Sequence, residues 1–299
     1  MNYWWVAVAA GVLSFALTHV LRRYALHKSL LDIPNGRSSH TIPTPRGGGV
    51  AIVISYLVAL VWMLCAGLIG RDPFLAMFGA GALIAALGFL DDHGHIAARW
   101  RLLGHFFAAA WALFWLGGLP PISVFGMALA PGLIVNVLAA FYLVWLLNLL
   151  LACAVAGFLA WNFPPAKIFM GDAGSGFLGI MLGCLSLQGA WISSQFLWVW
   201  LILLGVFIVD ATVTLIRRLI RGDKVYEAHR SHAYQFASRR FGKHLPVTSA
   251  VGVINLCWLL PVAVGVTRFG LDGALGVIIA YAPLLALAVI FKAGALEKS

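Results

Sequence analysis

Nine long apolar runs dominate the 299-residue chain and leave few ways for it to fold. They cover Tyr3–Leu21, Val50–Gly70, Phe74–Leu90, Leu102–Gly118, Leu133–Trp161, Phe177–Gln195, Phe196–Ile216, Pro246–Val266 and Leu271–Phe291. About 20 such residues cross a hydrocarbon core of about 30 Å as a helix, which satisfies its own backbone where no water can. Hydrophobic residues make up 62% of the chain and charged ones 10%, far from the balance of a soluble domain. The sequence therefore predicts an all-α, polytopic integral membrane protein of about nine transmembrane helices, a single membrane domain over residues 1–299. The first run has neither the basic start nor the small-residue cleavage site of a secretory signal, so it reads as a permanent helix.

Lysine and arginine set the expected orientation, because cytoplasmic loops retain them. With a periplasmic N-terminus and a cytoplasmic C-terminus, only Arg71 and Arg268 of the 20 basic residues fall outside. The net charge of +10 is then a property of one face, suited to the anionic headgroups of the lipid bilayer, and nucleic acid is not an expected partner. The acids follow the same rule, with Asp72 and Asp272 alone outside. A transporter would place ionisable groups near the midplane. Here the exceptions within apolar runs, His19, His105 and Asp210, fall toward the cytoplasmic ends. Cys65, Cys153, Cys184 and Cys257 lie in apolar runs without CxxC spacing, which favours core packing over a disulfide or a metal.

Polar chemistry gathers in four cytoplasmic loops, 22–49, 91–101, 162–176 and 217–245. In the first, "DIPNGRSSHTIPTPRGGG" combines helix-breaking prolines and glycines with the donors Arg37, His40 and Arg46. It could equally be a solvated connector. The second, "GFLDDHGHIAARWR", sets Asp91 and Asp92 against an apolar helix end, where adjacent like charges are costly without a cation or donors. In the third, "IFMGDAGSG" surrounds Asp172 with Gly171, Gly174 and Gly176. Glycines allow a ligand to approach the backbone and aspartate is a hard oxygen donor suited to Mg²⁺, although a tight turn capping a helix near Phe177 would also explain them. The fourth, "RRLIRGDKVYEAHRSHAYQ", spaces His229 and His232 three apart. Zinc would need further ligands, so phosphate binding together with Arg230 fits better, with a loose surface cluster as the alternative.

In this order, "RSSHTIPTPRGGG", "GFLDD", "FPPAKIFMGDAGSG" and "AHRSHAYQ" resemble the polyprenyl-phosphate N-acetylhexosamine-1-phosphate transferases, bacterial glycosyltransferase family 4. The last motif is most similar to the branch that initiates O-antigen and capsule synthesis. The resemblance implies transfer of a sugar 1-phosphate from a UDP-N-acetylhexosamine to undecaprenyl phosphate, with release of UMP, at the cytoplasmic face of the bacterial inner membrane. It implies Mg²⁺ as cofactor, with Mn²⁺ as a substitute. It implies Asp91, Asp92 and Asp172 as catalytic residues, with Asp172, Asp91 and Asn148 as metal ligands. Arg37, His40, Arg46, Lys167, His229, Arg230 and His232 would hold substrate. The chemistry is coherent, since phosphoryl transfer needs charge neutralisation and in-line positioning more than covalent help.

One family element is missing. An asparagine followed by Asp-Gly-x-Asp-Gly should come between the paired aspartates and the GDAGSG segment, yet no Asp, Glu, Lys or Arg occurs from Leu133 to Ala166. The apolar run there is too long for one ordinary crossing and too short for two. The expected explanation is an acidic loop and two half-helices absent between Leu149 and Leu150. The alternative function is accordingly a non-catalytic or truncated family member that binds lipid phosphate or nucleotide without turnover.

Overall fold

The computed structural model describes residues 4–33, 42–94, 96–117, 123–124, 127–128, 135–223 and 229–296, with backbone alone over 135–148. Arg37 and His40 lie outside the described residues, as does the side chain of Asn148. The chain divides into two compact units, each taken here by itself.

The first unit holds α1 (Trp4–His27), α2 (Gly49–Cys65), α3 (Arg71–Gly94), α4 (Ala98–Trp115), α5 (Val135–Asn162) and α6 (Gly171–Ile192). A two-residue ribbon, β1 (Leu31–Asp32) antiparallel to β2 (Thr44–Pro45), leads into α2. Apolar side chains have no water to escape within a bilayer, so close backbone approach carries much of the helix packing. Helices α1 and α5 meet in this way: a Cβ on Gly157 would stand 2.2 Å from the carbonyl oxygen of Gly11. The core beneath contains Tyr56 edge-on to Phe177, with ring centroids 5.8 Å apart, and the Tyr56 hydroxyl points at the Met77 sulfur. Helix α5 runs unbroken through Leu149 and Leu150, so the long apolar run is one helix.

The second unit holds α7 (Ser194–Leu203), α8 (Gly205–Ile220), α9 (Ala233–Phe241), α10 (Leu245–Ile254), α11 (Leu260–Arg268) and α12 (Gly273–Ile290). The run expected as one straight crossing, Phe196–Ile216, is bent by 69° between α7 and α8. Helices α10 and α11 continue through a π-helical turn at Asn255–Leu259. Ile202, Val209, Leu259, Val266 and Leu284 form the core of this unit. Short strands β3 (Ser123–Val124) and β4 (Met127–Ala128) pair with each other.

The protein is thus mostly helical. Among the described residues, five helical stretches are long and apolar enough to cross a membrane, and the bent α7–α8 pair makes a sixth. The outward faces suit lipid, with Phe114, Phe207 and Ile220 among the most exposed side chains. All four cysteines are free; Cys184 is buried, whereas Cys65 and Cys257 are exposed rather than packed in a core.

Candidate functional site

Asp91 and Asp92 close the last turn of α3, and Arg101 lies in the first turn of α4. The two are joined across the connection. One Asp91 oxygen accepts from the Ile96 amide at 2.8 Å, and the other accepts from Arg101 Nη1 at 2.6 Å. The same guanidinium nitrogen stands 3.7 Å from Asp172 Oδ2. Asp172 sits in the first turn of α6, where unpaired amides favour a negative charge. Its own amide donates to Asp92 Oδ2 at 3.1 Å. Arg46 completes the group: Nη2 donates to the Asp92 carbonyl, and Nε is 4.0 Å from Asp92 Oδ1.

Burial separates the three carboxylates. The side chains of Asp91 and Asp92 are 7% and 6% exposed, whereas that of Asp172 is 57% exposed. The paired aspartates therefore face inward, each bound to something that holds Asp172: Asp92 its amide, Asp91 the arginine beside it. Asp172 is the most open of the three to an incoming ligand, although Arg101 and Asp91 stand beside its carboxyl; burial first, then the neighbouring acids Asp91 and Asp92, push it above the usual carboxylate range.

The sequence leaves the motif glycines open to ligand approach or to a turn capping a helix, and the structure packs Gly171 and Gly174 closely at the start of a helix. Helix α6 already begins at Gly171, so 162–176 is not wholly a loop. A Cβ on Gly174 would lie 2.4 Å from Gly49 Cα, and one on Gly88 would lie 2.4 Å from the Ala173 nitrogen. Gly171 has φ +76°, and a Cβ there would meet Asp92 Oδ2 at 2.6 Å. Likewise 91–101 and 217–245 are largely helix ends, because α3 runs to Gly94, α4 starts at Ala98 and α8 continues to Ile220. Helices α2, α3 and α6 meet backbone to backbone around Asp172. The Gly47–Gly49 triplet belongs to the same contact, with Gly48 and Gly49 donating to the carbonyls of Phe169 and Met170.

Lys167 is held elsewhere in the unit. Its ammonium lies 5.6 Å from the centroid of the Trp161 ring, and Arg22 donates to its carbonyl. Arg101, the cation shared by Asp91 and Asp172, was not singled out from the sequence. The available signal was a basic residue at the start of the run that follows the paired aspartates.

Among the described residues, no three His, Cys, Asp or Glu side chains stand close enough to hold a metal ion. The donor set nevertheless fits Mg²⁺. This ion keeps much of its water and is usually bound through one or two carboxylates plus substrate phosphates, not by an all-protein cage. Asp172, the most exposed of the three acids, would supply the first of these, and Asp91, whose oxygens are held by Ile96 and Arg101, would be the second.

The second unit carries the histidines. His229 and His232 have ring centroids 4.9 Å apart, and the His232 ring stacks on Tyr234. His229 Nδ1 is 3.0 Å from the Ser231 hydroxyl. Partial burial, together with Arg218 and the neighbouring His232, holds the His229 imidazole below its ordinary range. Asp210, an acid inside α8, accepts from the amides of Ala233 and Tyr234 at 2.8 and 3.4 Å and stands 3.5 Å from His232 Nδ1. Gly294 donates to the Ser231 carbonyl at 2.6 Å, while Arg217 and Arg221 donate to the carbonyls of Ala293 and Gly294. Arg221 also pairs with Asp223, keeping that carboxyl below the usual carboxylate range. The Arg230 carbonyl accepts from Arg239.

Carboxylates and guanidinia at the ends of apolar helices, on a mostly helical chain with membrane-length spans, define a membrane protein with a polar site at helix termini. The profile of glycosyl transferase family 4 matches residues 74–150 and 127–190, a region that contains Asp91, Asp92, Arg101 and Asp172. A probable undecaprenyl-phosphate N-acetylglucosaminyl 1-phosphate transferase of Bacillus subtilis is 28% identical, over 73% of this chain and 72% of its own length. The undecaprenyl-phosphate alpha-N-acetylglucosaminyl 1-phosphate transferase of Thermotoga maritima is 26% identical over 78% of this chain and 81% of its own. A decaprenyl-phosphate N-acetylglucosaminephosphotransferase of Mycolicibacterium smegmatis is 28% identical over 64% and 61%.

The chain is similar to glycosyl transferase family 4 over residues 74–190, and relatives named as polyprenyl-phosphate sugar 1-phosphate transferases match it over most of its length. Its match to the family is not continuous. The two matched stretches overlap over 127–150, around the uncharged half of α5. The alignment to the Bacillus relative spans 269 positions but takes in 73% of this 299-residue chain, so part of that relative has no counterpart here.

Proposed function

We propose that this protein transfers a sugar 1-phosphate from a UDP-N-acetylhexosamine to undecaprenyl phosphate, releasing UMP, at the cytoplasmic face of the bacterial inner membrane. The product would initiate a surface polysaccharide of the O-antigen or capsule type. The observation that carries this reading is the meeting of Asp91, Asp92 and Asp172 with Arg101 and Arg46 at the ends of α3, α4 and α6. The names of the similar proteins support the substrate classes.

In this reading Asp172 and Asp91 would hold Mg²⁺, with Asn148 as an amide ligand; the ion would supply positive charge against the diphosphate. Asp92 fixes the Asp172 amide, and Asp91 or Asp92 takes the proton of the acceptor phosphate. Arg101 and Arg46 balance charge around the three acids. His229, Arg230 and His232 bind the nucleotide diphosphate, and Arg37, His40 and Lys167 bind phosphate elsewhere on that face. Nine crossings, with Met1 outside and Ser299 inside, follow from the distribution of basic residues. Reporter fusions at the two ends test this, and both ends on one side would overturn it.

A second reading is favoured by a specific observation. The family's acidic Asp-Gly-x-Asp-Gly loop is missing from the uncharged Leu133–Ala166 segment, and the family match breaks there. The chain would then bind nucleotide or lipid phosphate with little turnover. Assay of UMP release from UDP-N-acetylglucosamine by purified protein, with undecaprenyl phosphate and Mg²⁺, separates the two. Turnover abolished by Asp172→Asn supports the transferase. Nucleotide binding without turnover supports the second reading, and neither binding nor turnover rejects both.

A further inference from the structure

An ionisable side chain within an apolar helix is costly and needs a partner to remain there. Asp210 lies midway along α8 among Phe207, Ile208, Val209 and Val213, yet all of its recorded partners point toward the histidine segment or back onto its own helix. One oxygen accepts from the Ala233 amide at 2.8 Å and from the Thr214 hydroxyl; the other accepts from the Tyr234 amide. Ala233 and Tyr234 open α9, so a carboxylate from a different helix serves as its N-terminal cap. The same carboxylate stands 3.5 Å from His232 Nδ1. The His232 amide is separately tied to Gln235 Oε1 at 3.2 Å.

We propose that Asp210 is a positioning residue for the histidine segment: it holds Nδ1 of His232 and the first turn of α9, so that when the ring takes up a second proton beside a diphosphate, Nε2–H is the donor that meets it. The inference rests on the reading of His232 as a diphosphate ligand. An imidazole beside a carboxylate donates its Nδ1–H to it, which fixes both ring orientation and tautomer. Without that partner the ring is free to turn over and to carry its proton on either nitrogen. The cost of placing Asp210 in α8 is thereby offset by the order it gives to His232 and the first turn of α9.

The test uses full-length protein in lipid nanodiscs with nitrogen-15-labelled histidine, as wild type, Asp210→Asn and Asp210→Leu. The His232 ring nitrogens are read by NMR at pH 8, and UDP-N-acetylglucosamine binding is titrated in parallel. Wild type should carry the Nδ1–H tautomer. Asp210→Asn retains an acceptor oxygen and should retain the tautomer, with affinity within about threefold. Asp210→Leu should lose the single tautomer and weaken binding about tenfold, as expected for one charge-assisted hydrogen bond. An Nε2–H tautomer in the wild type overturns the proposal, even if the Leu variant does not fold. So do an unchanged tautomer and affinity in Asp210→Leu. A wild type that shows the Nδ1–H tautomer but binds no UDP-N-acetylglucosamine rejects the diphosphate role and leaves the positioning intact.

Discussion

Asp92 accepts a hydrogen bond from the backbone amide of Asp172, 80 residues further along the chain, at 3.1 Å. One acid of the paired motif thus grips the main chain of the third acid. Replacing Asp92 by Leu removes an acceptor that is almost wholly buried and leaves that amide without its partner, at a cost of about 1–3 kcal/mol. Asp92→Asn, which keeps one acceptor oxygen, should cost less. Denaturant unfolding of both variants in detergent checks the order, and equal losses would show that the bond holds nothing.

Two glycines of the same helix should respond in opposite ways. At Gly174 a methyl group would meet Gly49 Cα at 2.4 Å, whereas at Gly179 it meets nothing within 4 Å. Gly174→Ala should destabilise by about 1–3 kcal/mol as α2 and α6 are forced apart. Gly179→Ala should be neutral or stabilise by up to about 1 kcal/mol through helix propensity. Thermal unfolding of the pair reads both signs.

The fold opposes charging His229, through burial first and then through Arg218 and His232. A histidine with a lowered folded pKa contributes stability while neutral and loses it as pH falls below the ordinary imidazole value of about 6.5. A bound diphosphate reverses the preference, since it favours the imidazolium. UDP-N-acetylglucosamine affinity should therefore rise between pH 8 and pH 6, and His229→Gln should flatten that rise. Calorimetric titration across the range measures it; a flat wild-type profile would separate His229 from the phosphates.

Restoring the missing element should raise turnover. Inserting a family acidic loop with its two half-helices between Leu149 and Leu150 adds the absent oxygen ligands without reversing the orientation of either flank. UMP release should increase by at least about a hundredfold, the order expected when a misplaced reacting group is brought back by about 1 Å. Robust turnover by the chain as it stands would instead show that Asp91, Asp92 and Asp172 suffice.

The sequence displayed the helices because a bilayer imposes length and apolarity on each one, and among the described residues most of each apolar run is helical. It also displayed Asp91, Asp92 and Asp172, since carboxylates stand out against so apolar a background. It did not display the work of Gly88, Gly171 and Gly174. Glycine is equally suited to a ligand loop and to a tight helix crossing, and only the neighbouring helix decides between them. Arg101 and Asp210 were hidden for a related reason: each serves a partner from another element, and composition carries no trace of that pairing. The bend between α7 and α8 was invisible because apolarity continues through it.

The strap at the end of α12 shows how unevenly such a structure constrains its own sequence. Ala293 and Gly294 hold Arg217, Arg221 and Ser231 through main-chain atoms alone. A designer rewriting this stretch could vary the chemistry at 293 within the limits of its closed surroundings, because a carbonyl is the same in any residue. At 294 there is no such latitude, since φ is +75° and a methyl group would meet Arg217 Cβ at 2.8 Å. A substitution there would travel along the bond to Ser231 and loosen the two histidines that flank it. A residue with no side chain is thus the one whose change would be felt by the imidazoles.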